Sequence, residues 1–260
     1  MGQGWNWAGF ASYLFNPYIL GGVWTTVWLT VIAIAGGLVL GCGLALARIS
    51  SRRWLNGPAY FYIWLFRGTP LMVQLIIIYT GLPQLGLKLS VIESALVGLI
   101  LNEAAYLAEI VRGGIQSIPV GQTLAARAMG LTGAQTLRHI VLPQAMRLII
   151  PTLGNSINGL LKTTSVTSVI SMEELLRRTQ VLIQEKFMVL ELFLVAALYY
   201  LLLTSAWDFV QRRIERHYGR PYGNSGNSGD GGNGNGGGNA NGDGGNAKPV
   251  ARATELMEQR

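Results

Sequence analysis

The sequence predicts an all-α membrane protein with five transmembrane helices, its N-terminus outside and its C-terminus cytoplasmic. Three observations predict this. Half of the 260 residues are hydrophobic and only 13% are charged, against roughly 25% charged in a soluble domain. The mean hydropathy is +0.35. The apolar residues collect in segments of about 20, the length that crosses about 30 Å of hydrocarbon as a helix.

The first predicted span runs from about Val23 to Ala47. No charged side chain precedes Arg48, and a cleavable secretory signal needs a positive region ahead of its apolar core. This run is also too long for a signal core, so it is read as a retained membrane helix. The second span covers about Tyr60–Tyr79 and is interrupted at Arg67-Gly68-Thr69-Pro70. The third covers Val91–Val111, and the fourth Ala145–Leu161 with room to continue to Ile170. The fifth covers Met188–Phe209.

Orientation follows from the bias of arginine and lysine toward cytoplasmic loops. Arg48, Arg52 and Arg53 follow the first span. Arg112, Arg127, Arg138 and Arg147 lie between the third and fourth, and Arg212, Arg213, Arg216 and Arg220 follow the fifth. The opposite side has Lys88 in one loop. In the other, Arg177, Arg178 and Lys186 are offset by Glu173, Glu174 and Glu185. The net charge of +7 is therefore assigned to cytoplasmic loops and not to nucleic-acid binding. Residues 1–22 are read as an extracytoplasmic segment and 23–218 as the transmembrane domain, with a cytoplasmic loop at 121–143. Residues 219–260 are read as a flexible, Gly/Asn-rich cytoplasmic tail, because this composition offers no apolar face to offset the entropy of ordering. Ala247–Arg260 has room for a short helix.

In the outer loop Ser171–Phe187, the residues Glu174, Leu175, Arg178 and Leu182 have helical spacing. Two readings stay open: a surface for an extracytoplasmic partner, or a lid on the bundle.

The chemistry of enzymes is missing. One cysteine, Cys42, and two histidines, His139 and His217, make no metal set. There is no phosphate-cradling Gly-x-x-x-x-Gly-Lys-Ser/Thr loop, no Gly-x-Ser-x-Gly elbow and no His-Glu-x-x-His helix. No catalytic residue, metal site or cofactor of its own is assigned to this chain. Any energised work needs nucleotide chemistry from another subunit.

The loop Leu124-Ala125-Ala126-Arg127-Ala128-Met129-Gly130, followed by Ile140-Val141-Leu142-Pro143, has an unusual order. Its alanines favour helix. Gly130 suits the left-handed conformation that ends a helix, and Pro143 suits the first turn of the next one. This stretch resembles the cytoplasmic motif of the inner-membrane permease subunits of ATP-binding-cassette (ABC) importers, in the polar amino-acid uptake group. That motif reads Glu-Ala-Ala, three residues, Gly, nine residues, Ile-x-Leu-Pro. Ala125, Ala126, Gly130, Ile140, Leu142 and Pro143 match it, and Leu124 replaces the glutamate.

Further stretches resemble the same group: Arg67–Gln74, Ala105–Ile115, Ser117–Gln122, Pro143-Gln144-Ala145 and Leu161–Ser165. In the last of these the family has Lys-Asp-Thr-Ser, and Thr163 replaces the aspartate. The resemblance covers roughly Leu20 to Arg216. It implies a permease subunit that pairs with itself or a similar chain in a bacterial cytoplasmic membrane. It also implies two ATPase subunits that hold ATP-Mg, an extracytoplasmic solute-binding protein and alternating access. Leu124, Ala125, Ala126, Arg127, Gly130, Ile140, Leu142 and Pro143 would then form the coupling helix and its base. With Leu124 in place of the glutamate, that contact becomes more apolar or leans on Arg127.

Ionisable groups inside a bilayer usually face a cavity or a partner. Glu103, beside Asn102, is a candidate acceptor for a substrate ammonium. Lys162, beside Thr163, is a candidate partner for its carboxylate, although Glu103 and Lys162 could instead pair with each other. Arg67, Thr69 and Pro70 interrupt a helix, as at many translocation sites, and Gln74 lies one turn on. Glu191, at the start of the fifth span, is expected at the membrane interface in contact with water. Gly37 and Gly41 have small-residue spacing and are expected to pack within the subunit. Alternatives are another solute for the same machinery, such as an opine or a sulfur-containing amino acid, or a passive channel.

Overall fold

The computed structural model describes residues 6–218, with side chains through 216. The predicted tail at 219–260 and its short helix lie outside the described residues. All the regular elements described are helical.

Helix α1 (Trp7–Leu14) is capped by Asn6, whose side chain accepts from the Gly9 amide, and α2 (Pro17–Ile49) by Asn16, with Pro17 in its first turn. Helix α2 thus begins six residues before the expected Val23. Helix α3 (Arg53–Gly68) ends where Thr69 turns to extended backbone, as a residue before proline must. Helix α4 (Leu71–Ile76) follows and runs through a π turn, Ile77–Gly81, into a 3-10 turn, Leu82–Leu85. The second predicted span is therefore no kinked rod: its two parts are bent by 104°. Helix α5 (Val91–Gln116) opens on a capping box between Ser90 and Glu93. Helices α6 (Val120–Ala128) and α7 (Gly133–Thr136) form the predicted loop. Next, a π turn at Leu137–Val141 leads into α8 (Leu142–Thr163) and a 3-10 stretch, Thr164–Ile170. Helix α9 (Leu175–Lys186) occupies the loop whose spacing predicted it, and α10 (Val189–Tyr218) is the last described element.

Helices α2, α5 and α10 are long and apolar enough to cross a membrane, or four segments are if the bent pair counts as one span. Helix α8, expected to span, has 22 residues and so about 33 Å of length at 1.5 Å per residue. It lacks the apolarity because Arg147, Asn155, Asn158 and Lys162 interrupt it. Several of its polar residues have work inside the bundle. The Trp207 indole donates to the Gly154 carbonyl at 2.8 Å, and Asn158 donates to Asp208.

The core rests on α2 against α5. Ala33, Gly37, Gly41 and Ala45, four residues apart, are all buried on one face of α2. A β-carbon on Gly41 would lie 3.0 Å from the Ala104 carbonyl oxygen, and one on Gly37 3.1 Å from the β-carbon of Glu103. The glycine pair thus packs within this chain. Three apolar clusters stack along the bundle. One joins Ala45, Ile63, Ala108 and Ile149. The next joins Leu29, Leu75, Leu99 and Leu160, and the last joins Ile19, Leu175, Leu192 and Val195.

At the end formed by α1 and α9, polar bonds fix the helices. Glu174 is wholly buried and caps α9, accepting from the Arg177 amide at 2.8 Å, the Leu176 amide at 2.9 Å and the Tyr200 hydroxyl at 2.9 Å. Burial pushes its carboxyl above the ordinary value, and these bonds oppose that rise. Arg178 donates to the Tyr18 carbonyl at 2.9 Å. Glu191 corrects an expectation. It is buried and accepts from the Asn6 amide at 3.0 Å, because α1 folds back over the start of α10 and covers it.

Candidate functional site: a cavity at a helix break

Pro70 has no N–H to give the Phe66 carbonyl, so α3 loses a helical bond there. Two side chains replace it. Gln74 donates from Nε2 to the Phe66 carbonyl at 2.9 Å, and also to the Thr69 carbonyl at 3.1 Å and hydroxyl at 2.8 Å. Asn102 of α5 donates to the same Phe66 carbonyl at 3.4 Å and to Oε1 of Gln74 at 3.0 Å. The break is thus held open by a buried amide pair and not by loose chain.

Beside the break lies an open cavity of about 560 Å³. The break contributes Arg67, Gly68, Thr69, Pro70 and Leu71, helix α5 contributes Asn102, Glu103 and Tyr106, and helix α8 contributes Ser156, Gly159, Leu160 and Thr163. Six of the predicted path residues meet here: Arg67, Thr69, Pro70, Asn102, Glu103 and Thr163. Two do not. Gln74 is buried behind the wall as the staple just described. Lys162 is exposed, does not line the cavity and makes no ion pair with Glu103.

Glu103 is 7% exposed, and its Oε1 accepts from Ser156 Oγ at 2.8 Å. Among the described residues its Oε2 accepts no hydrogen bond. A buried carboxylate with one oxygen uncommitted is a strong acceptor for a cationic or N–H group. Thr163 spends its hydroxyl on the Gly159 carbonyl at 3.1 Å. At the rim, Arg67 lies 3.6 Å from Glu109 Oε2, and its guanidinium carbon is 5.5 Å from the centre of the Tyr106 ring. Sequence reasoning missed Ser156, Tyr106 and Glu109. The available signal was periodicity: Ser156, Gly159 and Thr163 are small or hydroxylic and share one helical face, as do Asn102 and Tyr106.

The second candidate site is the predicted loop. Helix α6 ends in a Schellman arrangement: Gly130 has φ +83°, its amide donates to the Arg127 carbonyl at 2.9 Å, and the Leu131 amide donates to the Ala126 carbonyl at 3.1 Å. Ala126 is buried against the loop, while Val120, Leu124 and Ala128, four residues apart, are exposed. Ala125 and Arg127 are exposed as well. Ile140 is half-buried, whereas Leu142 and Pro143 face outward. The π turn precedes Pro143, whose ring conflicts with the carbonyl of His139 in an α-helix. Among the described residues no group of His, Cys, Asp and Glu could hold a metal.

The chain is 39% identical over 231 residues to the arginine transport system permease ArgU of Corynebacterium glutamicum, covering 83% of this chain and 73% of that protein. It is 43% identical over 213 residues to the octopine permease OccM of Rhizobium meliloti, covering 78% and 85%. It is 38% identical over 202 residues to the glutamine permease GlnP of Escherichia coli, covering 77% and 92%. A solved amino-acid ABC transporter with histidines superposes with a TM-score of 0.78 at 33% identity, over 83% of this chain and 100% of the other. Residues 37–220 match the family described as binding-protein-dependent transport system inner membrane component. That match and these relatives show the family: the chain belongs to the inner-membrane permease components of ABC transporters.

Proposed function

We propose that this chain carries a polar amino acid across the cytoplasmic membrane by alternating access, as the pathway-forming subunit of an ATP-driven importer. The observation that carries the reading is the cavity at the helix break, where the buried Glu103 carboxylate stands among hydroxyl and amide groups. Non-helical backbone inside a membrane is tolerated where it is buried in protein or lines a water-filled cavity, and broken helices often form transport sites. The names of the relatives for arginine and glutamine support the solute class. The relative named for octopine supports a second reading, an N-substituted amino acid with two carboxylates.

In this reading the chain has five spans, α2, the bent α3–α4 pair, α5, α8 and α10, with the N-terminus outside. Helix α8 crosses despite its polar residues: Ser156 and Thr163 line the cavity, and Asn155 and Asn158 bond to Gln211 and Asp208 of α10. The path residues are Arg67, Thr69, Pro70, Asn102, Glu103, Ser156 and Thr163. Helix α6 docks on an ATPase subunit through Val120, Leu124 and Ala128, with Arg127 beside them. Leu124 makes the contact apolar where the family motif has a glutamate. Two ATPases hold ATP-Mg, a second permease subunit, the same or similar, completes the pathway, and an extracytoplasmic binding protein delivers the solute.

The test is flux into reconstituted vesicles. Uptake of L-arginine, L-glutamine or octopine that needs both ATP and the partner subunits supports the reading. Flux without nucleotide would make the chain a passive channel.

A further inference from the structure

Among the described residues, Arg67 is the one cationic side chain that lines the cavity. Its commitments are weak. Glu109 gives both carboxylate oxygens to Arg112, at 2.9 Å to Nε and 2.7 Å to Nη2. Arg67 reaches the same carboxylate only at 3.6 Å and makes no hydrogen bond to it. Two guanidinium groups therefore share one carboxylate, which leaves a net positive charge at the rim. The Arg67 guanidinium carbon lies over the Tyr106 ring, 5.5 Å from its centre, a cation–π contact that uses none of its N–H donors. An arginine so placed presents a fork that fits a carboxylate with two parallel bonds. Lys162, the other cation considered for this role, lies off the cavity.

We propose that Arg67 anchors the carboxylate of the transported solute, with Glu109 and Tyr106 as its positioning residues. The solute class is then a compound with a free carboxylate, such as an α-amino acid or its N-substituted relative, and not the corresponding amine. The inference rests on the reading of the cavity as the solute path.

The test measures binding of L-arginine and L-glutamine, and of their decarboxylated counterparts agmatine and 4-aminobutanamide, to the full permease–ATPase complex without binding protein. Wild type should prefer each bound acid over its amine by roughly tenfold or more, as a bidentate charged pair implies. Arg67→Gln should remove that preference by weakening the acid alone, while Arg67→Lys keeps part of it. Equal loss of acid and amine, or an unchanged preference, overturns the proposal, because a merely structural role would weaken both. If Arg67→Gln does not assemble, the wild type reads the same contrast through phenylglyoxal modification of Arg67, located by peptide mass. The amino acid should protect and the amine should not; equal protection or none overturns the proposal. Failure of wild type to take up arginine, glutamine or octopine with ATP would instead overturn the function on which it rests.

Discussion

The Asn102 amide donates to Gln74 Oε1 at 3.0 Å, and that bond ties α5 to the break between α3 and α4. Gln74 in turn satisfies the Phe66 carbonyl that Pro70 leaves unpaired. Gln74→Leu should leave that carbonyl with one long bond and Asn102 without its acceptor. Each buried group left unpaired costs about 1–3 kcal/mol. The midpoint of thermal unfolding in detergent should fall, and uptake should fall with it. An unchanged midpoint would show that the break does not depend on this staple.

Close contact of α2 and α5 sets the cavity wall, because Gly37 lies against Glu103 itself. Gly41→Leu should destabilise the protein by about 1–3 kcal/mol, the usual range for overpacking. Gly43→Ala is the control on the same helix, since nothing lies within 4 Å of a β-carbon there. Thermal unfolding of the two variants side by side checks the contrast.

What was legible in the sequence follows the range of the forces involved. The end of α6 was legible because a left-handed turn at Gly130 is local. The break was legible because a missing N–H at Pro70 is local. The inward packing of Gly37 and Gly41 also follows from spacing alone. The partners of buried polar groups were not legible, because they come from distant helices. Glu103 finds Ser156, 53 positions away, and not Lys162. Glu191 is covered by Asn6, 185 positions away, and so leaves the water expected for it. The angle of 104° at the break was also hidden, since a proline marks an interruption without fixing its direction.

The coupling role proposed for α6 makes a separate prediction. No atom lies within 4 Å of a β-carbon at Gly130, but its φ is +83°. Gly130→Glu therefore finds space and pays only in backbone strain, about 1–2 kcal/mol. It should insert in the membrane normally, yet separate ATP hydrolysis from uptake in reconstituted vesicles. Normal transport by this variant would remove α6 as the docking element.

Charge in the cavity makes another. Glu103→Gln keeps an acceptor for Ser156 but loses the negative charge. A charge-assisted bond is roughly twice as strong as a neutral one, so initial uptake should fall about tenfold or more. Lys162→Met, off the cavity, should stay within about twofold of wild type, as expected for a surface change. Radiolabelled uptake at matched expression compares the two.

The most direct test of the cavity as the solute path uses one cysteine. Cys42 is the only native cysteine, so Cys42→Ser gives a clean background in which Ser156→Cys places a thiol on the cavity wall. The account predicts that a small polar thiol reagent labels this position. It also predicts that the transported amino acid slows the labelling and that ATP changes its rate. Labelling unaffected by both would contradict the assignment of this cavity to transport.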